Sequence, residues 1–296
     1  MTAARGQALR LPFSRRGTAG RETRPKEFDR PRFLKWFLVA FLVFTLAPIA
    51  IVALFSLNSS KSLQHFDGFS LQWYQDFLND QQLRESLFAS LEIATVTMVV
   101  ATLLGSTLAY GLVRSRTRFS GATNVLMLIP LVTPEIVAGV SALLLFTQLG
   151  MQLSLATIMI AQVTFSISYV TVIVRARLSG LGREVEEAAM DLGATRLQTL
   201  RLITLPGLWP AIVAAALLVF ALSFDDFVLS FFTTGTSPQP LPVRIYSSIR
   251  FGVTPTINAI GTLMMLISVT TIVLAIALPR LVGRREDRTP LLGGEV

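Results

Sequence analysis

The chain has 296 residues, 52% of them hydrophobic and only 15% charged, a balance too apolar for an ordinary soluble domain and typical of a multi-spanning membrane protein. It has no cysteine and a single histidine, His65, which excludes disulfides, thiol catalysis and Cys- or His-rich metal sites. The net charge of +8 invites a nucleic-acid reading, and the placement of the charges argues against it.

Residues 1–35 form a basic tail rich in Arg, Gly and Pro, expected to be disordered and suited to anionic lipid. Beyond it, six stretches are long and apolar enough to cross roughly 30 Å of hydrocarbon: Trp36–Leu57, Leu87–Val113, Ala122–Leu149, Leu153–Val174, Trp209–Phe232 and Ile257–Val282. The first starts late and lacks a small-residue cleavage site after it, so it reads as a retained span and not a signal peptide. Twenty-two of the 26 Lys and Arg residues fall in the tail, in 114–120, in 175–208 and from Arg280 onward. The opposite side carries Lys61, Arg84, Arg244 and Arg250. The positive-inside rule then places both termini in the cytoplasm, and the net charge is this bias.

Between the first two spans, "LQWYQDFL" is expected to form an outer interfacial helix with Trp73 and Tyr74 at headgroup level, and His65 to be a solvated loop residue. Gly105 and Gly111 in the second span suit close helix packing. In the third, Pro130 and Pro134 open the backbone ladder beside Glu135.

Loop 175–208 is the longest connection on the basic side. Gly182 can open a helix whose acids Glu184, Glu186 and Glu187 suit the positive end of the dipole. Val185, Ala188, Ala189 and Leu192 share one face. Gly193 suits a left-handed helix end. Thr195 and Gln198 make a capping box for a second helix, with Leu197, Leu200 and Ile203 apolar and Pro206 as its expected stop. Small alanines on a narrow face favour a docking element. An interfacial helix pair lying on lipid fits the composition as well.

Asp225 and Asp226 in the fifth span, Glu135 in the third and Glu92 in the second are acids in apolar segments. Each ionised carboxylate there costs on the order of 3 kcal/mol, so each needs the bundle interior, water or a partner. They can line a path for a cation, or they can pair with Arg or cap broken helix ends.

Glu187-Ala188-Ala189, then Gly193, Ile203 and Leu205-Pro206 at their spacing, resemble the EAA signature of permease subunits of ATP-binding-cassette (ABC) importers. The segments "IPLVTPEIVAGVSALLLF", "LSFDDFVLSFFTTG" and "LPVRIYSSIRFGVTPTINAIGT" extend the likeness over about 70–282 and are similar to the spermidine/putrescine permease group, most of all its second permease subunit. That group commonly carries Pro where Ser168 stands and Glu where Thr256 stands. The resemblance implies an all-α integral membrane protein of the bacterial inner membrane, with six transmembrane helices, the type I importer permease fold and a cytoplasmic coupling helix. It implies that Glu187, Ala188, Ala189, Gly193, Ile203, Leu205 and Pro206 engage an ATPase. It also implies two ATP-binding-cassette ATPase subunits, a second permease and an extracytoplasmic substrate-binding protein as partners. By region, 1–35 is a tail, 36–57 the first span, 70–282 the importer domain and 283–296 a second tail.

The chain contains no phosphate-binding Gly-x-x-x-x-Gly-Lys-[Ser/Thr], so ATP and Mg belong on a partner and no cofactor is expected here. One histidine and no cysteine rule out most catalytic constellations, and no metal site is expected. An importer of another small cationic or organic solute is an alternative to polyamine transport. A further one, an ion-coupled secondary transporter, would need inverted repeats, and no convincing pair is visible.

Overall fold

The computed structural model describes residues 32–62, 64–114, 120–236, 238–250, 252 and 254–283. The expectations for tail residues 1–31 and 284–296, and for Arg116 and Arg118, lie outside the described residues. The chain divides into two units, residues 1–48 and 49–296. Helix α1 (Arg32–Phe55) runs through the boundary just after Pro48. In the first unit it is apolar on every side, with Phe33, Trp36, Phe37 and Phe44 all exposed, the pattern of a helix whose surroundings are themselves apolar.

The second unit is built from helices. They are α2 (Gln72–Asn79), α3 (Gln81–Arg114), α4 (Ser120–Val132), α5 (Glu135–Gln148), α6 (Leu155–Gly180), α7 (Arg183–Asp191), α8 (Arg196–Thr199), a π turn (Leu200–Thr204), α9 (Leu205–Phe224), α10 (Val228–Thr233), α11 (Leu241–Ile249) and α12 (Pro255–Gly283). Among the described residues the one strand-like contact is an isolated bridge between Asn58 and Phe69.

Five helical runs are long and apolar enough to cross a membrane, and α4 with α5 supplies a sixth if the bent pair counts as one. The centre is α3 packed with α6 and α9, where Ala101, Ala109, Val170, Val174, Ala215 and Val219 are fully buried. Small side chains let these backbones approach. At Gly105 a Cβ would stand 2.7 Å from Val170 Cβ and 2.9 Å from the Ile167 carbonyl, and Thr171 Oγ1 donates to the Gly105 carbonyl at 3.1 Å. A second core joins Phe77, Ala94, Phe224, Leu241, Ile260 and Met264 from α2, α3, α9, α11 and α12.

Several details differ from expectation, each for a local reason. The third span is not a straight helix: α4 and α5 meet at 107°. Pro134 sits extended as the N-cap of α5, and without an N–H it cannot continue the helix before it. The fifth span ends at Phe224, and α10 begins after a break at Asp225–Phe227. Pro206 does not stop the helix from Arg196. It lies in the first turn of α9, after a π turn closed by Leu205 N–H to Leu200 C=O. That wider turn gives the proline ring room it lacks in an α turn. The connection 233–256 contains α11.

Trp73 turns inward. It is buried at 6% exposure, and its Nε1 donates to the Asn58 carbonyl at 2.6 Å. Buried Asn58 in turn organises the loop, donating to the Ser62 and His65 carbonyls at 2.9 and 2.8 Å and accepting from Asp67 N–H. His65 itself is exposed, as the sequence suggests. Gly111 is not at a close approach, since a Cβ there would meet nothing within 4 Å.

Candidate functional site: a carboxylate-lined cavity and an exposed helical loop

Where α9 breaks and α4 bends into α5, the bundle forms an open cavity of about 460 Å³, within the roughly 300–1,000 Å³ of small-molecule sites. Glu135, Asp225 and Asp226 line it together, with Phe165, Tyr169 and Phe227. No Lys, Arg or His is among the described residues that line it. Glu92 lies elsewhere, in a separate depression with Glu85 and Phe88.

The three acids are held differently. Asp226 is an anchor. Its Oδ2 accepts from Ser230 N–H at 2.9 Å, Ser230 Oγ at 3.0 Å and Gln162 Nε2 at 2.9 Å, and its Oδ1 accepts from Leu229 N–H at 3.3 Å. The bonds from Leu229 and Ser230 N–H satisfy two of the first free amides of α10, the usual service of a capping carboxylate. Asp225 is exposed and sits at the C-terminal end of α9, where the dipole disfavours an acid. Its position is therefore not explained by capping. Glu135 is the first residue of α5, where the dipole favours it, and is exposed.

Sequence reasoning passed over Gln162. It is buried at 2% exposure and bonds outward from α6 on both ends of its amide. Nε2 donates to Asp226 and, at 3.1 Å, to Ser230 Oγ. Oε1 accepts from Ser223 Oγ and from Thr97 Oγ1. One side chain thus ties α3, α6, α9 and α10 at the cavity wall. The signal was available, since a bare amide in an apolar span must find partners. The aromatic lining left no such mark, because Phe in a span reads as ordinary packing.

From Gly182 to Gln198 the loop between α6 and α9 has the local structure its sequence predicts. Gly182 caps α7. Gly193 takes φ +92°, and Ala194 N–H returns to Ala189 C=O at 3.0 Å, ending α7 in the left-handed manner. Thr195 and Gln198 form the reciprocal capping box. Glu187, Ala188 and Ala189 lie in α7, Gly193 in the turn, Ile203 in the π turn, and Leu205 and Pro206 in the first turn of α9. No residue of α7 is buried. Its apolar face is open, with Val185 and Leu192 exposed, Leu192 at 90%. An uncovered apolar face on so short a helix suits a docking contact.

Residues 101–288 match the family described as binding-protein-dependent transport system inner membrane component. The putrescine transport system permease protein PotI of Escherichia coli (strain K12) is 40% identical over 241 residues, covering 78% of this chain and 85% of that protein. The spermidine/putrescine transport system permease protein PotC of Shigella flexneri is 36% identical over 260 residues, covering 88% and 96%. Among solved structures, a bacterial ABC transporter involved in alginate import superimposes with TM-score 0.68 at 12% identity, over 84% of this chain and 94% of that one. The MetNI methionine ABC transporter does so with TM-score 0.54 at 16% identity, over 69% and 99%. At such identities the structural likeness is one of fold, that of ABC importer permeases.

Proposed function

The chain belongs to the family of binding-protein-dependent transport system inner membrane components, and from that premise we propose that this multi-pass ABC importer permease carries polyamines through the cavity between α5 and the break after α9. The family supplies the membrane pore of an importer, and ATP hydrolysis resides on a separate subunit. The observation that carries the polyamine reading is the meeting of Asp225 and Glu135 in one cavity free of basic side chains among the described residues. Carboxylates attract a multiply charged amine, and Phe165, Tyr169 and Phe227 offer ring faces to its ammonium groups and methylene chain. Relatives at 36–40% identity are named for putrescine and spermidine transport. Asp226 serves this site indirectly, by holding α10 in place.

The same reading places both chain ends and the α7 loop in the cytoplasm, following the positive-inside bias. There α7 and the turn at Gly193 dock on the ATPase. A second permease completes the pore, two ATPase subunits bind ATP and Mg below it, and an extracytoplasmic binding protein delivers solute. Closure of the ATPases moves the docked loops and swings the bundle between inward- and outward-open states.

Uptake of radiolabelled putrescine by the assembled complex tests the reading. ATP-dependent uptake that spermidine competes away, and that Asp225→Asn reduces while the complex still assembles, supports it. Uptake indifferent to polyamines points to another small solute, and uptake that follows a proton gradient in place of ATP overturns the importer mechanism.

A further inference from the structure

Glu186 does not belong to the EAA pattern, yet it makes the best-placed contact of the α7 loop. Its Oε1 accepts from Arg114 Nη2 at 2.7 Å and from Thr204 Oγ1 at 2.9 Å. Arg114 is the last residue of α3, and Thr204 closes the π turn that runs into α9. One carboxylate oxygen therefore joins α7 to two different helices of the bundle. The Glu186 and Arg114 side chains are only 14% and 12% exposed, so the pair is shielded from the solvent that weakens surface ion pairs. Beside it, Arg183 Nη2 donates to the Val113 carbonyl at 2.7 Å, giving the end of α3 a second tie to α7.

The pairing matters because α7 has little else to hold it. None of its residues is buried, so apolar packing does not fix it to the bundle. The helices it grips lead to the cavity. From the π turn, α9 runs 20 residues to Phe224, beside Asp225, and α3 carries Thr97, which donates to Gln162.

We propose that Glu186 is a positioning residue that locks α7 to α3 and α9 through Arg114 and Thr204, so that a push on α7 moves both helices together. This rests on the reading of α7 as the ATPase-docking element. Charge-assisted hydrogen bonds to one shared oxygen are directional, which suits them to passing on a displacement. A lipid-resting helix would have no use for such a bracket.

The test uses the full complex in proteoliposomes and reads putrescine transported per ATP hydrolysed. Glu186→Gln keeps the shape and an acceptor for Thr204 while removing the charge, and Arg114→Gln removes the other partner. With either, ATPase capture by the chain stays at the parent level, and transport per ATP falls by about tenfold, within the range of ordinary coupling energies. The exchange Arg114→Glu with Glu186→Arg restores most of it. A merely structural pair would lower the amount of complex without changing the ratio in the complex that forms. A parent-like ratio in both single variants, an exchange that restores nothing, or loss of ATPase capture in the single variants each overturns the proposal. Leu192→Asp, on the open face, tests the docking reading separately. If it captures the ATPase normally, docking fails as a reading, whatever the Glu186 ratio shows.

Discussion

Gln162 donates to Asp226 across 2.9 Å, from the middle of α6 to the turn that opens α10. The contact ties the carboxyl that anchors the broken helix to the long helix α6. Gln162→Leu removes it along with the bonds to Ser223, Thr97 and Ser230. Leaving the partly buried Asp226 carboxyl short of one partner costs about 1–3 kcal/mol. The variant is expected to melt earlier in detergent and to yield less assembled complex, as a thermal unfolding series on the purified complex would read.

The two adjacent aspartates should separate by experiment. Asp226→Ala removes the cap of α10 and is expected to cost about 0.5–2 kcal/mol of stability. Asp225→Asn leaves every backbone bond in place and is expected to keep assembly while cutting putrescine uptake by about tenfold, the equivalent of ~1.4 kcal/mol. Measuring complex yield and uptake in the same membranes distinguishes them. Equal effects of the two variants on both quantities would contradict the division of roles.

Gly193 holds φ +92° with open space around it, so the obstacle to substitution is the backbone and not crowding. Gly193→Val asks a β-branched residue to adopt that conformation. Loss of ATPase capture with normal membrane insertion is the expected result, and Gly193→Asn should keep more of it, since Asn tolerates the left-handed region. A pull-down with the cognate ATPase decides the matter.

Gly105 and Gly111 form a matched pair on α3. A methyl at Gly105 meets Val170 Cβ and a backbone carbonyl, both under 3.0 Å away, whereas one at Gly111 meets nothing. Gly105→Ala is expected to destabilise by about 1–3 kcal/mol through overpacking. Gly111→Ala should be neutral or stabilising by up to ~1 kcal/mol through helix propensity. The melting temperature should therefore fall for Gly105→Ala and not for Gly111→Ala.

The chain has no cysteine, so orientation can be read from single introduced thiols. His65→Cys should react with an impermeant reagent on intact cells, and Thr195→Cys only after permeabilisation. Both residues are exposed. Labelling of Thr195→Cys on intact cells would reverse the topology and remove the docking reading with it.

Much of this was legible in the sequence where local chemistry decides the outcome. The capping box at Thr195, the left-handed Gly193 and the N-terminal acids of α7 depend on residues a few positions apart, and all three are observed. The long apolar helices followed from apolar length, while their ends did not: the fifth runs to Phe224 and not to Phe232. What the sequence hid was non-local. Composition cannot tell that Trp73 turns inward to the Asn58 carbonyl, because an amphipathic ring suits an interface or a satisfied interior site equally. Nor could it separate Asp225 from Asp226, since which of the two caps α10 depends on where α9 breaks, and Asp226 is further fixed by Gln162, more than sixty residues away. The prolines marked the opening at Pro134 but not its angle, and the break at Asp225 was hidden because hydropathy sums over a kink without registering it. Glu135, Asp225 and Asp226 do converge on one cavity.

The π turn at Leu200–Thr204 has a consequence for the lineage of the chain. Such a turn holds one residue more than an α turn, and one residue is about 100° of rotation around a helix axis. Everything upstream, including the turn at Gly193 and the face of α7, is therefore set at an angle to α9 that an unbroken α-helix would not produce. Loss of a single residue here would leave a perfectly good helix and an intact core, yet would swivel the preceding loop by roughly a quarter turn. Length in this five-residue stretch is thus under a constraint separate from the roles of Ile203 and Thr204. Gaps in it should be far rarer among working relatives than changes of residue.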